Sequence, residues 1–265
     1  MIAPAPADLT KRLDRAALGA AEQARLVGTL ALMLTAIFRS FGKGDFDRGE
    51  LLMNLHRMGV KSLPVVVTTA LFTGGIMVIQ AGPIVERYGA QGLLGWGAGF
   101  GTLREIGPLL TALMISGRVG ANNTAELGTM AVTEQIDALR ALAIDPIGFL
   151  VAPRFCAIVL TLLLSTLFAD ALALFGAAQC GYAMLGVEPS VFYRGLTGEL
   201  LGFGDVFHGL LKSVVFGVVI GLASCHFGVT TRGGAPGVGR SVNATVVVSA
   251  AGIFALDYLL SFALQ

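Results

Sequence analysis

Long charge-free runs alternate with short polar segments along most of this chain, and a bilayer core takes about 20 apolar residues of helix to cross. The first run, Ser62 to Val85, is bounded by Lys61 on one side and by Glu86 and Arg87 on the other. The second covers residues 91–117 and is apolar except for Arg104 and Glu105. Phe155 to Leu185 follows, broken only by Asp170, then Ser213 to Thr231, and finally Val242 to Leu264 with Asp257 near its end. This pattern predicts an all-α integral membrane protein with five transmembrane helices, at about 62–85, 91–117, 155–185, 213–231 and 242–264. Gly74 and Gly75, set between Pro64 and Pro83, predict a bend in the first.

Upstream the pattern changes. Residues 1–61 hold nine of the 18 basic residues, mixed with six acids, and divide from the transmembrane domain of 62–265. Leu26 to Phe38 is apolar but too short to cross a bilayer, which predicts a helix lying at the interface. A charged stretch precedes it and Arg39, Ser40 and Phe41 follow, against a signal peptide with its small-residue cleavage site. Leu51, Leu52 and Leu55, with Arg48, Glu50 and Arg57 on other faces, read as a second amphipathic stretch. The excess of basic residues places the N-terminus in the cytoplasm. Five spans then put 118–154 and 232–240 on that side too, where Arg232 and Arg240 stand without an acid. Glu188, Glu199, Asp205 and Arg194 fall on the opposite side, with Lys212 at the membrane edge and Tyr88 and Trp96 in an aromatic belt.

Between the second and third spans lies the longest polar stretch of the hydrophobic part, 122–146. Thr133 reads as an N-cap, Glu134 and Asp137 fall in a first helical turn, and Arg140 lies toward the last, as the helix dipole favours. Ile136, Leu139 and Leu142 make one apolar stripe, and Pro146 disfavours helical geometry at Asp145. The product is a helix of about ten residues, too short to span. One reading is a loop helix resting on the protein's own spans or on headgroups. The other is a coupling helix seated in a cleft of a cytoplasmic motor subunit. A lipid-surface helix is normally richer in Lys and Arg than this one, which has only Arg140.

Composition narrows the classes. Hydrophobic residues make up 55% and charged residues 13%, against roughly a quarter charged in soluble domains, and mean hydropathy is +0.78. A net charge of +1 provides no field for polyanions, so nucleic acid is not expected as a partner. Cys156, Cys180 and Cys225 are odd in number and embedded in apolar runs, which suits packing rather than bridging. His56, His208 and His226 are isolated, so no metal site is expected. Gly42-Lys43-Gly44 lacks the spacing of a phosphate loop, and Gly97-Ala98-Gly99-Phe100-Gly101 misses the dinucleotide pattern and reads as small-residue helix packing. No catalytic site or cofactor is predicted, so any ATP hydrolysis belongs to a separate subunit.

Charges inside spans are functional hypotheses by default. Arg104 and Glu105 point about 100° apart on a helix and cannot simply neutralise each other on one face. They either line a lipid cavity, with Arg104 meeting a phosphate and Glu105 steadying it, or belong to a structural ion-pair network. Pro108 loosens the helix nearby. Asp170, midway along the third span, reads as a buried hydrogen-bonding group or as part of a proton relay. Asp257 lies near the outer end of the fifth.

Gly117-Arg118-Val119-Gly120, Ala125 to Met130, Thr133 to Leu139, Ile144-Asp145-Pro146 and Pro153-Arg154 together resemble the signature of the MlaE/YrbE permeases. So do Leu103 to Pro108, Lys212 to Phe216 and Leu256-Asp257-Tyr258; the likeness covers about 60–265. The resemblance implies the membrane subunit of an ABC transporter in the bacterial inner membrane. It implies a homodimer above cytoplasmic ABC ATPase subunits, beneath a periplasmic ring of MCE proteins, that moves phospholipid or a related lipid between that membrane and the ring. It places ATPase coupling in the segment holding Glu126, Glu134, Asp137, Leu139, Arg140 and Asp145. Two other classes compete. An ion-coupled secondary transporter would use Asp170 and Asp257, but no internal repeat is visible; a scaffold would only assemble other subunits.

Overall fold

The computed structural model describes residues 25–40, 47–197 and 201–264. The readings of residues 1–24, of Gly42-Lys43-Gly44 and of Glu199 lie outside them. Every element among the described residues is helical. After α1 (25–40), Asp47 opens α2 (Arg48–Gly59), its Oδ1 accepting from the amides of Gly49 and Glu50 at 2.8 and 3.3 Å. A tight turn at Val60–Ser62 carries α2 directly into α3 (Leu63–Tyr88). Next come α4 (Leu94–Gly101), α5 (Gly107–Ile115) and α6 (Ala121–Val132), joined by π-helical turns at Thr102–Ile106 and Ser116–Gly120. α7 (Gln135–Ala141) is short. A π turn at Ile147–Val151 leads into α8 (Ala152–Leu185), followed by α9 (Pro189–Leu196), α10 (Phe203–Val229) and α11 (Gly234–Ala263).

Four helices among the described residues are long and apolar enough to cross a membrane: Arg48–Tyr88, Ile147–Leu185, Phe203–Val229 and Gly234–Ala263. The second predicted span is not among them. It forms the rod from α4 to α6, long enough but diluted in hydropathy by Arg104 and Glu105. α10 starts at Phe203 rather than Ser213, and α11 at Gly234 rather than Val242. A charge-free run underestimates the helix here, because Asp205, Lys212 and Arg240 interrupt the apolar pattern without interrupting backbone hydrogen bonding.

α3 and α8 pack closest. Without a hydrophobic drive between spans, small residues that let backbones approach are the main adhesive. A Cβ on Gly74 would overlap the Ala173 carbonyl and lie 2.9 Å from the Ala177 amide nitrogen, so only glycine fits. Gly74 thus serves close contact within an uninterrupted helix. Ala112, Ile115, Ile158, Phe216, Ile220 and Ile253 tie α5, α8, α10 and α11 together. A second cluster at the α2 end joins Ile37 of α1 to Leu127, Ile136, Leu150, Phe155 and Leu222. The predicted interfacial stretch is therefore a helix with one face on the bundle, while Val27, Leu32 and Phe38 stay exposed. On α11, Thr245, Ser249 and Ile253 face inward, and Val247, Phe254, Tyr258 and Phe262 form an outward stripe.

Candidate functional site: two charged clusters at opposite ends of the bundle

The π turn at Thr102–Ile106 inserts an extra residue into the rod and so re-aims Arg104 and Glu105, which lie within it. They do not pair with each other. The Lys212 ammonium of α10, 1% exposed, reaches Glu105 Oε2 at 2.6 Å and Asp257 Oδ1 of α11 at 3.0 Å. It also donates to Ser261 Oγ at 2.7 Å, and that hydroxyl reaches Glu105 Oε1 at 3.1 Å. A cation so deeply buried is tolerable because two carboxylates and a hydroxyl surround it. Arg104 turns the other way. Its Nη2 donates to the Leu264 carbonyl at 2.8 Å, Nη1 lies a loose 3.5 Å from Asp205 Oδ1, and the guanidinium sits 5.4 Å from the Phe100 ring centre. Contacts with the start of α10 and the end of α11 place Arg104 toward that end of the bundle, not midway along the span.

Lys212, Asp205 and Ser261 were missing from the sequence reading of this site. Lys212 looked like a membrane-edge residue, since nothing local reveals that Glu105 lies against it. The four-residue step from Asp257 to Ser261, one turn on one helix face, was the available signal.

At the opposite end, Glu126 of α6 pairs with Arg57 of α2 and, at 3.0 Å, with Arg154 Nη1 at the start of α8. Arg154 also approaches Glu50 Oε1 at 3.8 Å and Asn123 Oδ1 at 3.4 Å. Asn123 donates to Ser224 Oγ at 3.0 Å, and the Thr124 and Thr245 hydroxyls lie 2.8 Å apart. The polar run beginning at Asn122 thus binds α6 to α2, α8, α10 and α11. Glu126 stands within this network, whereas Glu134, Asp137 and Arg140 project from α7 beyond it.

α7 differs in detail from its predicted form. Thr133 closes α6, donating to the Thr129 carbonyl at 2.8 Å, and Glu134 enters α7 with a left-handed backbone at φ 61°. Asp145 accepts from the Ile147 amide at 3.1 Å and so caps the turn before α8. Of the expected stripe, Ile136 is buried, Leu139 is half-buried and Leu142 is 70% exposed. One anchor holds the helix, leaving Leu142, Ile144 and Phe149 exposed beside Glu134, Asp137 and Arg140. Asp137 and Arg140 pair at 2.6 Å. A groove of about 350 Å³ separates α7 from the turn at Arg232 and Gly233.

Asp170 is buried against Gly107, which follows the first π turn and where a Cβ would collide with the Asp170 Oδ1. That oxygen has no hydrogen-bond partner among the described residues. The glycine-rich segment packs as expected through Gly99, against Leu196 of α9, while Gly97 meets nothing. No cluster of metal-ligating side chains occurs among the described residues.

A helical bundle with four described helices long and apolar enough to cross a membrane has the architecture of a multi-pass membrane protein. The chain belongs to the MlaE permease family, whose profile matches residues 51–263. A probable ABC transporter permease protein from Synechocystis is 37% identical over 88% of both chains. The chloroplastic protein trigalactosyldiacylglycerol 1 of Arabidopsis thaliana is 37% identical over 83% of this chain and 62% of its own. The intermembrane phospholipid transport system permease protein MlaE of Haemophilus influenzae is 29% identical over 80% of this chain and 81% of its own.

Proposed function

We propose that this chain is the permease subunit of an ABC transporter that moves phospholipid or a related lipid across the inner-membrane boundary, driven by a separate ATPase. The observation carrying this reading is the Arg104, Glu105, Lys212, Asp257 and Ser261 cluster, set among membrane-crossing helices beside the outward face of α11. An apolar pore needs no such group, but a cavity that accepts a lipid must compensate a phosphate. Arg104 suits this task, because a bidentate guanidinium–phosphate pair would replace its loose 3.5 Å contact with Asp205. Lys212 keeps Glu105 neutralised while Arg104 exchanges partners. The rod from α4 to α6 then crosses as a fifth span, with α1, α2 and α7 on the cytoplasmic side and the α9 end facing an MCE ring in the periplasm. Two copies pair along the stripe of Val247, Phe254, Tyr258 and Phe262, enclosing the charged clusters of both. α7 is the coupling helix. The exposed Leu142 and Ile144 just past its end, together with its acidic first turn, enter a cleft of the ATPase, and Ile136 passes displacement to the cluster of Leu127, Leu150 and Phe155.

Replacing Glu134 and Asp137 together by Lys tests the coupling. Both side chains are exposed, so membrane insertion and the melting temperature stay as in the wild type while the ATPase no longer co-purifies. Retained ATPase in the purified complex would remove α7 from that role.

A further inference from the structure

A pocket of about 430 Å³ opens between the α2–α3 junction and the second π turn, lined by Arg57, Lys61, Ser62, Arg118 and Asn122. Its charges are not balanced. Arg57 is held by Glu126, which also accepts from Asn122 Nδ2 at 3.0 Å. Lys61 and Arg118 have no carboxylate partner among the described residues. Arg118 is nevertheless oriented, its Nη2 donating to the Lys61 backbone carbonyl at 2.8 Å, and both residues line the pocket. Two unpaired cations in one concavity repel each other and call for an anion.

The same face of α3 says what kind. Lys61, Val65, Thr68, Phe72, Ile76 and Ile79 follow one another at steps of three and four residues and are all exposed. Val66, Ala70, Gly74 and Val78 occupy the opposite face, buried against the bundle. The one hydroxyl in the exposed stripe, Thr68, lies 3.0 Å from the carbonyls of Pro64 and Val65, so the stripe presents apolar surface. Phe72 is 73% exposed. A ligand covering both features has an anionic head and a long apolar tail lying along a membrane-crossing helix. An acidic protein segment arriving from water could fill the pocket but could not follow the stripe into the bilayer.

We infer that the Lys61 and Arg118 pocket binds the phosphate of an anionic glycerophospholipid from the leaflet at the α2 end, with an acyl chain along Val65, Phe72, Ile76 and Ile79. This site is distinct from the Arg104 cluster at the other end of the bundle. It requires neither transport nor an ATPase partner, so its test is independent of the one on α7.

The probe is a photoactivatable phosphatidylglycerol, crosslinked to the full-length protein in phosphatidylcholine nanodiscs, with adducts mapped by mass spectrometry to the peptides around Lys61 and Arg118. Each basic residue near a membrane surface contributes about 1 kcal/mol to anionic-lipid binding, so Lys61→Gln with Arg118→Gln lowers labelling there about 30-fold. Lys61→Gln alone removes an exposed, unpaired side chain that the fold does not use, and lowers labelling about 5-fold. Phe72→Gln weakens labelling without changing charge. Excess phosphatidylglycerol competes, whereas inorganic phosphate and phosphatidylcholine do not. The proposal is overturned by unchanged labelling in Lys61→Gln, by equal competition from phosphatidylcholine, or by full competition from inorganic phosphate. It is equally overturned if the double variant loses the ATPase while lipid labelling stays constant.

Discussion

Lys212 illustrates how a single side chain organises one end of the molecule. Its ammonium is 1% exposed and lies within 3.0 Å of Glu105, Asp257 and Ser261, three groups on two other helices. Removing one member of such a group leaves the others with uncompensated charge, which costs more than the intact cluster contributes. Lys212→Met is therefore expected to destabilise the protein by about 3 kcal/mol, read as a lower melting temperature in detergent. Adding Glu105→Gln and Asp257→Asn to that variant should restore most of the loss, since no buried charge is then stranded. The single and triple variants together separate the cost of stranded charge from the worth of the pairs.

At the level of elements, two devices set the geometry. Glycine lets α3 and α8 approach until Gly74 meets the Ala173 carbonyl, and π turns re-aim short stretches of the rod from α4 to α6. Gly74→Val would force the two backbones apart, and overpacking of this kind costs about 3 kcal/mol at its upper range. A lower yield of folded protein, with a lower melting temperature, is the expected outcome. Gly97→Ala, where a Cβ meets nothing, is the matching control and should leave both unchanged. The π turns explain why Arg104 and Glu105 serve separate partners: adjacent residues on a helix diverge, and the inserted residue sends one toward α10 and α11 and the other toward their ends.

For the whole molecule, the notable surface is the stripe on α11. Val247, Phe254, Tyr258 and Phe262 are 55–74% exposed along one face, while Thr245, Ser249 and Ile253 are buried on the other. In the proposed homodimer this stripe lies on the twofold axis. A cysteine in place of Phe254 should then form a disulfide-linked dimer under mild oxidation in membranes. Val27→Cys, exposed on α1 at the bundle's flank, should not. A monomer from both would place the dimer contact elsewhere.

Amino-acid order alone made the membrane class, most span positions and the short polar helix legible, because bilayer thickness imposes a length on apolar runs and the dipole imposes a charge order on helix ends. The same local logic marked Arg104, Glu105, Asp170 and Asp257 as unusual. It did not reveal their companions. Glu105 meets Lys212 and Ser261 across 107 and 156 residues of chain, and Glu126 meets Arg57 across 69. Such pairings arise only when helices with little hydrophobic drive between them settle through glycine contacts and π turns, neither of which leaves a periodic trace. Folding likewise decided that Ile136 alone of its stripe would be buried, since Leu142 lies past the end of α7, where the backbone has already turned away from the core.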